Sequence, residues 1–426
     1  MLRAGRSRAG SNAGVLHAMP AGIASSSSRP EQPLVWAGVD SEVGRLRSVL
    51  VHRPGDELLA VGATNAARML YAGPVDLTRA QVEHDAFVEV LRAQGVEVLY
   101  LEQLVAEVIE QHPERERLLE LLPPGSLASV RERLASLPPG RLARALIGGI
   151  PAAGAKPNSA ERAWLVDPLP NLMFTRDPSA WIGRRVMLGE MAAPVRRRES
   201  LLTDLVYRRH PRFVALVRQI GSAGRPLRVE GGDVLMAGDG RVIVGVSSRT
   251  SAAAAHRFAS ALLTERVASE VLTVRVPRLA GFHLDLVLSI VDREAIAVWA
   301  PTRRLLRAHA WRATSRGVAV HAVPDPLRWL SASCRVIRIA PPLGAAHARA
   351  WDHGLNVLAV APGVVIAYAD NYEANARLRA AGVEVIPVAG SALGRGCGGP
   401  RCLTCPVARE PVVDASPRWA TAPASA

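Results

Sequence analysis

One arrangement recurs along the chain and limits what it can become: an extended segment, a turn, a second extended segment, an amphipathic helix, then a short strand. One copy runs from Asn171-Leu172-Met173-Phe174-Thr175 through Arg185-Val186-Met187-Leu188 into a helical pattern at Glu199 to Tyr207. Another begins at Arg228-Val229-Glu230, turns at Gly238-Asp239-Gly240, returns as Val242 to Val246 and enters an alanine-rich helix from Ser251 to Leu263. A third goes from His283-Leu284-Asp285 through Ile290-Val291 and a turn at Asp292-Arg293-Glu294 to Ala295 to Trp299, with a helix predicted from Thr302 to Arg312. The fourth pairs Val357 to Ala361 with Val364 to Tyr368 across Pro362-Gly363, followed by a helix from Tyr372 to Ala381 and a strand from Val383 to Ile386. The amino-terminal part reads as a fifth, damaged copy: strand Arg45 to Val51, helix Ala80 to Gln94, strand Val96 to Tyr100. Turn dipeptides and the switch from extended to helical spacing mark each copy. Units of this kind close only by repetition about an axis, which sets equivalent strand ends around one central pocket.

Between the damaged copy and the next, Leu101 to Ile147 is rich in leucine, glutamate and arginine, with helical spacing broken at Pro123-Pro124 and Pro138-Pro139. It reads as a small inserted helical bundle, the insertion spanning about residues 101–160. A chain of 426 residues with 49% hydrophobic content can bury a full core. The formal charge of +14 is almost wholly arginine, since Lys156 is the only lysine. Basic residues appear throughout rather than in one stripe, so no nucleic-acid partner is expected. No apolar run reaches the ~18 residues that cross a bilayer, so no membrane partner is expected either. Four cysteines, with Cys334 far from the other three, make a poor disulfide framework and point to a reducing, cytoplasmic compartment. Residues 1–37 are expected to be a disordered extension or the product of a start codon placed too early, and residues 415–426 a flexible tail.

The first extended segment of three copies brings polar groups to its end: Asp177 in one, Glu230 and Asp233 in the next, His283 and Asp285 in the third. His283 and Asp285, two apart on a predicted strand, are expected to share a face. Cys397, Cys402 and Cys405 lie within nine residues, wrapped in glycine beside Arg395 and Arg401. That cluster describes a metal cradle, a redox pair or a loop presenting one activated nucleophile. Several converging carboxylates welcome a cation, and the planar cation that engages two carboxylates at once is a guanidinium. Its carbon is a weak electrophile, so attack calls for a thiolate together with an acid for the departing nitrogen. Cysteine and histidine supply both.

The segments Asn171 to Pro178, Glu230 to Asp233, His283-Leu284-Asp285 and Arg401-Cys402-Leu403-Thr404-Cys405-Pro406, in this order, resemble the arginine deiminases of the guanidino-group-modifying (pentein) superfamily. The likeness runs from about Asp40 to Glu410 and includes Glu42 to Leu46, His52 to Gly55 and Glu83-His84-Asp85. It implies an α/β fold, a five-bladed pseudo-symmetric α/β propeller of ββαβ units with an inserted small helical bundle, occupying residues 38–414. It implies hydrolysis of L-arginine to L-citrulline and ammonia with water as co-substrate, without metal or cofactor. By resemblance Cys402 is the nucleophile that forms a covalent thiouronium, His283 the acid and then the base, and Glu230 its holder. Asp177 and Asp285 would grip the guanidinium, Arg196 and Arg249 the α-carboxylate, while Asn171, Phe174 and Gly396 line the pocket. Which of Arg196, Arg197 and Arg198 points inward is left open, as is assembly into a homo-oligomer. Cys397 stands where relatives carry arginine, which implies a higher pKa for Cys402 or a looser loop. Other readings are a related amidinotransferase or dimethylarginine hydrolase, or a catalytically impaired arginine-binding relative. The spacing Cys397-x4-Cys402-x2-Cys405 also resembles the ferredoxin run, but no cysteine follows Cys405.

Overall fold

Runs of valine, isoleucine and alanine that bury both faces make most of the strands, and two of the helices between them start on side-chain caps, from Asp76 and Ser251. The computed structural model describes residues 37–111, 128–152, 163–221, 227–277, 282–302, 305–331, 335–339 and 354–412. The expected extension before residue 37, the tail, Pro123-Pro124, Cys334, Asp352 and His353 lie outside these residues.

In chain order, β1 (Leu46–Val51) leads through α1 (Leu77–Ala93), capped by Asp76, to β2 (Glu97–Tyr100). Then come α2 (Leu101–Gln111), α3 (Ala128–Ala135), α4 (Pro139–Gly148) and the short antiparallel pair β3 (Ile150–Pro151) and β4 (Trp164–Val166). Pro138-Pro139 starts α4 rather than only breaking a helix, because proline at the first helical turn loses no hydrogen bond. The hairpin β5 (Ser179–Ile182) and β6 (Arg185–Leu188) precedes α5 (Arg197–Arg209), and a parallel bridge joins Val186 to Gln219. Next are β7 (Val234–Gly238), β8 (Arg241–Val246), α6 (Ala252–Thr264), whose Ser251 cap accepts from the Ala254 amide, and β9 (Glu270–Arg275). They are followed by β10 (Leu288–Asp292), β11 (Ala295–Trp299), β12 (Arg307–Thr314), β13 (Gly317–Val323), α7 (Pro326–Ser331) and β14 (Arg335–Ile339). The chain ends on β15 (Leu358–Ala361), β16 (Val364–Tyr368), α8 (Tyr372–Ala380), β17 (Glu384–Val388) and β18 (Cys405–Arg409).

The same triplet recurs, an antiparallel pair followed by a parallel one: β7-β8-β9, β10-β11-β14, β15-β16-β17 and β18-β1-β2. The last explains why the amino-terminal copy reads as damaged. Its first strand is β18, supplied from the other end of the sequence, so pairing of β1 with β18 joins the two ends of the repeat.

Three expectations need correction. Asn171 lies in a 3-10 turn (Pro170–Met173), not an extended segment, since Pro170 presets the turn; the paired strand is β5. Glu230 and His283 are extended, but each immediately precedes a 3-10 turn, Gly231–Asp233 and Leu284–Leu286, so Asp285 does not share a strand face with His283. The helix predicted from Thr302 to Arg312 is instead β12. It pairs with β9 and, through a hairpin, with β13, extending one sheet to five strands, and α7 takes the crossover role. The alternation explains it: Ala308 and Ala310 are buried between exposed Arg307 and His309, a period of two.

That correction is testable by urea denaturation. Ala310→Glu places a charge in the core and should lower stability by about 3 kcal/mol or more, whereas His309→Glu, on the exposed face, should change it by under about 0.5 kcal/mol. Equal effects would contradict the strand.

Candidate active site

Four turns that precede strands converge. The residues Phe174 to Asp177 lead into β5, Glu230 to Asp233 into β7, His283 to Asp285 into β10, and Cys397 to Cys402 toward β18. Asp177, Glu230, His283, Asp285 and Cys402 are all buried, and so are Asn171, Phe174 and Arg196. The close approach depends on glycine. A Cβ on Gly232 would sit 2.7 Å from His283 Nδ1 and 3.0 Å from Asp177 Oδ1, and one on Gly396 would meet Phe174 Cζ at 2.6 Å.

Two aspartates frame the site in the same way. Asp177 Oδ2 accepts from Arg196 Nη1 at 2.5 Å, and Arg196 is held in turn by Glu199. Asp285 Oδ2 accepts from Arg401 Nη1 at 2.7 Å, and Arg401 is held in turn by Glu42 at 3.1 and 3.2 Å. In both, the other oxygen Oδ1 is buried without a hydrogen-bond partner. His283 Nδ1 is likewise unsatisfied and lies 3.7 Å from Asp177 Oδ1, too far for a hydrogen bond. Its Nε2 meets Glu230 Oε2 at 2.8 Å. The Cys402 thiol points at Asp285 Oδ2 from 3.7 Å. Atoms of Asp177, Glu230 and His283 lie within 4.8 Å of one another, close enough to gather round one cation.

Electrostatics sets the resting protonation. Burial opposes charge on His283, but Asp177, the hydrogen bond the ring donates to Glu230 and the charge of Asp233 outweigh it and push the imidazole up to about 9. Burial, then the charges of Asp285 and Asp177, push the Cys402 thiol well above its ordinary value, with Arg401 opposing. At neutral pH the site therefore holds an imidazolium and a neutral thiol. Asp177 and Glu230 stay low although burial would raise them, because His283 and Arg196 outweigh it.

Of the arginine run, Arg196 is the one inside; Arg197 is exposed and Arg198 bonds the carbonyls of Asp167 and Leu146. Arg196 is fully engaged by protein acceptors: its Nη2 donates to Glu199 Oε2 at 2.8 Å besides longer 3.4 Å contacts to the carbonyls of Asn171 and Phe174. Arg249 lies over the Phe282 ring, its Nη1 3.4 Å from Glu230. Asn171 donates to the Met69 carbonyl at 2.8 Å. Cys405 is buried against Ser179 and Tyr207, away from these groups. Cys397 takes a left-handed conformation with φ 67° at the end of a 3-10 turn, and its thiol donates to the Arg395 carbonyl. Cys397, Cys402 and Cys405 are free of disulfides.

Sequence reasoning missed three residues. Asn356 Oδ1 accepts the amides of Cys402 at 3.0 Å and Gly399 at 3.2 Å, fixing the Cys402 loop. Glu42 and Arg401 form the outer members of the Asp285 chain. Glu42 and Arg401 fall in segments singled out above and Asn356 immediately precedes one; what was lacking was any sign that a backbone amide or a second carboxylate would need them.

A sequence model described as arginine deiminase matches residues 67–121 and 151–409. The chain is 40% identical to an arginine deiminase of Rhodococcus opacus over 399 residues, 88% of this chain and 98% of that protein. It is also 40% identical to an arginine deiminase of Mycobacterium avium over 412 residues, 89% of this chain and all of that protein. Among solved structures it is similar to an amidinotransferase from Microseira wollei (TM-score 0.55, 15% identity, 89% of this chain and 99% of that one). It is also similar to the inosamine-phosphate amidinotransferase of Streptomyces griseus (0.52, 14%, 90% and 99%). A DDAH from Pseudomonas aeruginosa complexed with citrulline is a third (0.51, 16%, 85% and 99%). These likenesses give the described strands and helices their place in a pentein, an α/β propeller-like fold.

The raised imidazole is open to measurement. An NMR titration should show His283 protonated up to about pH 9, and Glu230→Gln, which removes a charge that favours the imidazolium, should lower the midpoint. An unchanged midpoint would mean Glu230 does not hold that charge.

Proposed function

The chain belongs to the arginine deiminase family, and from that premise we propose that it hydrolyses L-arginine to L-citrulline and ammonia on the groups just described. One observation carries the reading. Each of two buried aspartates has one oxygen taken by a protein arginine and the other bare, the bare oxygens being Asp177 Oδ1 and Asp285 Oδ1. A planar guanidinium offers paired N–H groups to such oxygens. Bound there, its carbon would lie between the Cys402 thiol and His283.

The cation also supplies what the thiol lacks. With its charge beside Cys402, the thiolate that burial and two carboxylates disfavour becomes accessible. The thiolate attacks the guanidinium carbon, forming a C–S bond. The His283 imidazolium gives its proton to a terminal nitrogen, the C–N bond breaks and ammonia leaves, so Cys402 carries a thiouronium. Neutral His283 then takes a proton from water, the hydroxide adds to the same carbon, and collapse breaks the C–S bond, the added hydroxyl passing its proton to the departing sulfur, to release neutral-side-chain citrulline and restore the thiol. Glu230 steadies the imidazolium in both halves.

Arg249, whose Nη1 makes only a 3.4 Å contact with Glu230, is the cation for the α-carboxylate; Arg196, with its nitrogens taken by Glu199 and Asp177, would join it only by giving up one of those bonds, and Asn171, Phe174 and Gly396 shape that end of the pocket. The repeated triplets support five blades, with the short β5-β6 pair and its bridge as the fifth. The helices α2 to α4 support the inserted bundle, and a cytoplasmic protein that needs no metal or cofactor fits this chemistry.

Incubation with L-arginine should yield citrulline and ammonia in equal amounts, and Cys402→Ala neither. Ornithine or a transferred amidino group instead of citrulline would favour an amidinotransferase. Arginine binding without turnover by the unaltered chain would mark an impaired relative.

A further inference from the structure

The groups of this site sit on separate turns, and one carboxylate outside the chemistry holds three of those turns together. Asp233 is fully buried and has no place in the reaction written above. Its Oδ1 accepts the Leu284 amide at 2.9 Å, the peptide between His283 and Asp285. Its Oδ2 accepts the Ser247 hydroxyl at 2.6 Å. Ser247 Oγ in turn accepts the amides of Arg249 at 3.0 Å and Thr250 at 3.1 Å. Thr250 Oγ1 accepts the Glu230 amide at 3.2 Å, and the Asp233 amide donates to the Glu230 carbonyl at 2.9 Å. The bonds close into a ring through Glu230, Asp233, Ser247 and Thr250, with a branch to the His283 turn. We propose that Asp233 is a positioning residue that couples the acid-base pair, the guanidinium-binding Asp285 and the carboxylate-binding Arg249, so that substrate gripped at one end aligns the reacting groups at the other. The inference rests on the arginine deiminase reading.

The chemistry of the ring explains why an aspartate is needed. Ser247 Oγ already accepts two amides, so its own proton must go to an acceptor. Asparagine cannot replace the carboxylate in either orientation: it aims an N–H at the saturated Ser247 oxygen or at the Leu284 amide. The fit is close as well, since a Cβ on Gly245 would stand 2.3 Å from Asp233 Oδ1. Burial pushes Asp233 up to about 7 against His283 and its own hydrogen bonds, and in its ionised form it adds to the field of Asp177 and Glu230 that keeps the imidazole charged.

The test compares Asp233→Asn and Ser247→Ala with the unaltered chain, all as full-length protein, by citrulline formation and by NMR titration of His283. Ser247→Ala opens the ring on the side of Arg249 and Thr250 but leaves the bond from the Leu284 amide to Asp233, so it should raise KM roughly tenfold with kcat much less changed. Asp233→Asn disturbs both arms and should raise KM and lower kcat, each roughly tenfold, and should lower the His283 midpoint, which Ser247→Ala should leave alone. A merely structural role would reduce the amount of folded enzyme, seen as a lower kcat in both variants with KM and midpoint unchanged, and that result overturns the proposal. Wild-type kinetics in both variants overturns it too. An unaltered chain that makes no citrulline sinks the functional reading, and this inference with it.

Discussion

Everything at the centre of this protein follows from the need to pair buried charge. An ion moved from water into a protein interior costs several kcal/mol unless a partner and hydrogen bonds meet it. Here that need is met by two chains of alternating sign, Glu42–Arg401–Asp285 and Glu199–Arg196–Asp177. Glu42 and Arg401 are 359 positions apart, and they come together because β1 pairs with β18. Each chain ends in an aspartate with one oxygen still bare. The binding site is thus the unfinished end of two ion-pair chains, and closure of the fold and readiness for a cation have one cause.

The residues that carry the chemistry were legible because they are unusual in their setting. A histidine and carboxylates at the ends of extended segments, and a cysteine in a glycine-rich loop, stand out from strands of valine and alanine. Their roles came from a family resemblance, and their geometry was only partly readable. Period-two reasoning placed His283 and Asp285 on one strand face, whereas a 3-10 turn intervenes, because such turns leave no periodic signature over three residues. The segment Thr302 to Arg312 looked helical from its composition of alanine, leucine and arginine, all good helix formers. Its partners in β9 and β13 decided otherwise, as tertiary pairing overrides intrinsic preference. Asn356 acts on the backbone of residues 399 and 402, and that kind of partnership is invisible until the chain is folded.

Turns before strands also explain the accuracy of the site. A residue within a strand shares its orientation with the sheet, but one in a 3-10 turn can be aimed independently while the following strand anchors it. The cost is a set of loose backbone amides, and the structure answers it with side chains: Asn356 for the Cys402 loop, Asp233 for the His283 turn, Thr250 for Glu230. Glycines 232 and 396 let these turns approach within van der Waals distance.

The same electrostatics gives the reaction a direction. On the proposed reading, a guanidinium entering the site would complete both ion-pair chains, placing positive charge between Asp177 and Asp285 and next to a thiol that those aspartates otherwise keep protonated. The ureido group of citrulline is neutral and presents an oxygen where arginine presented an N–H donor. That oxygen meets carboxylates instead of completing them, and an acceptor facing an acceptor in a buried site is repelled. On that reading the two bare oxygens that would draw the substrate in would also release the product, with no separate device needed to favour one over the other.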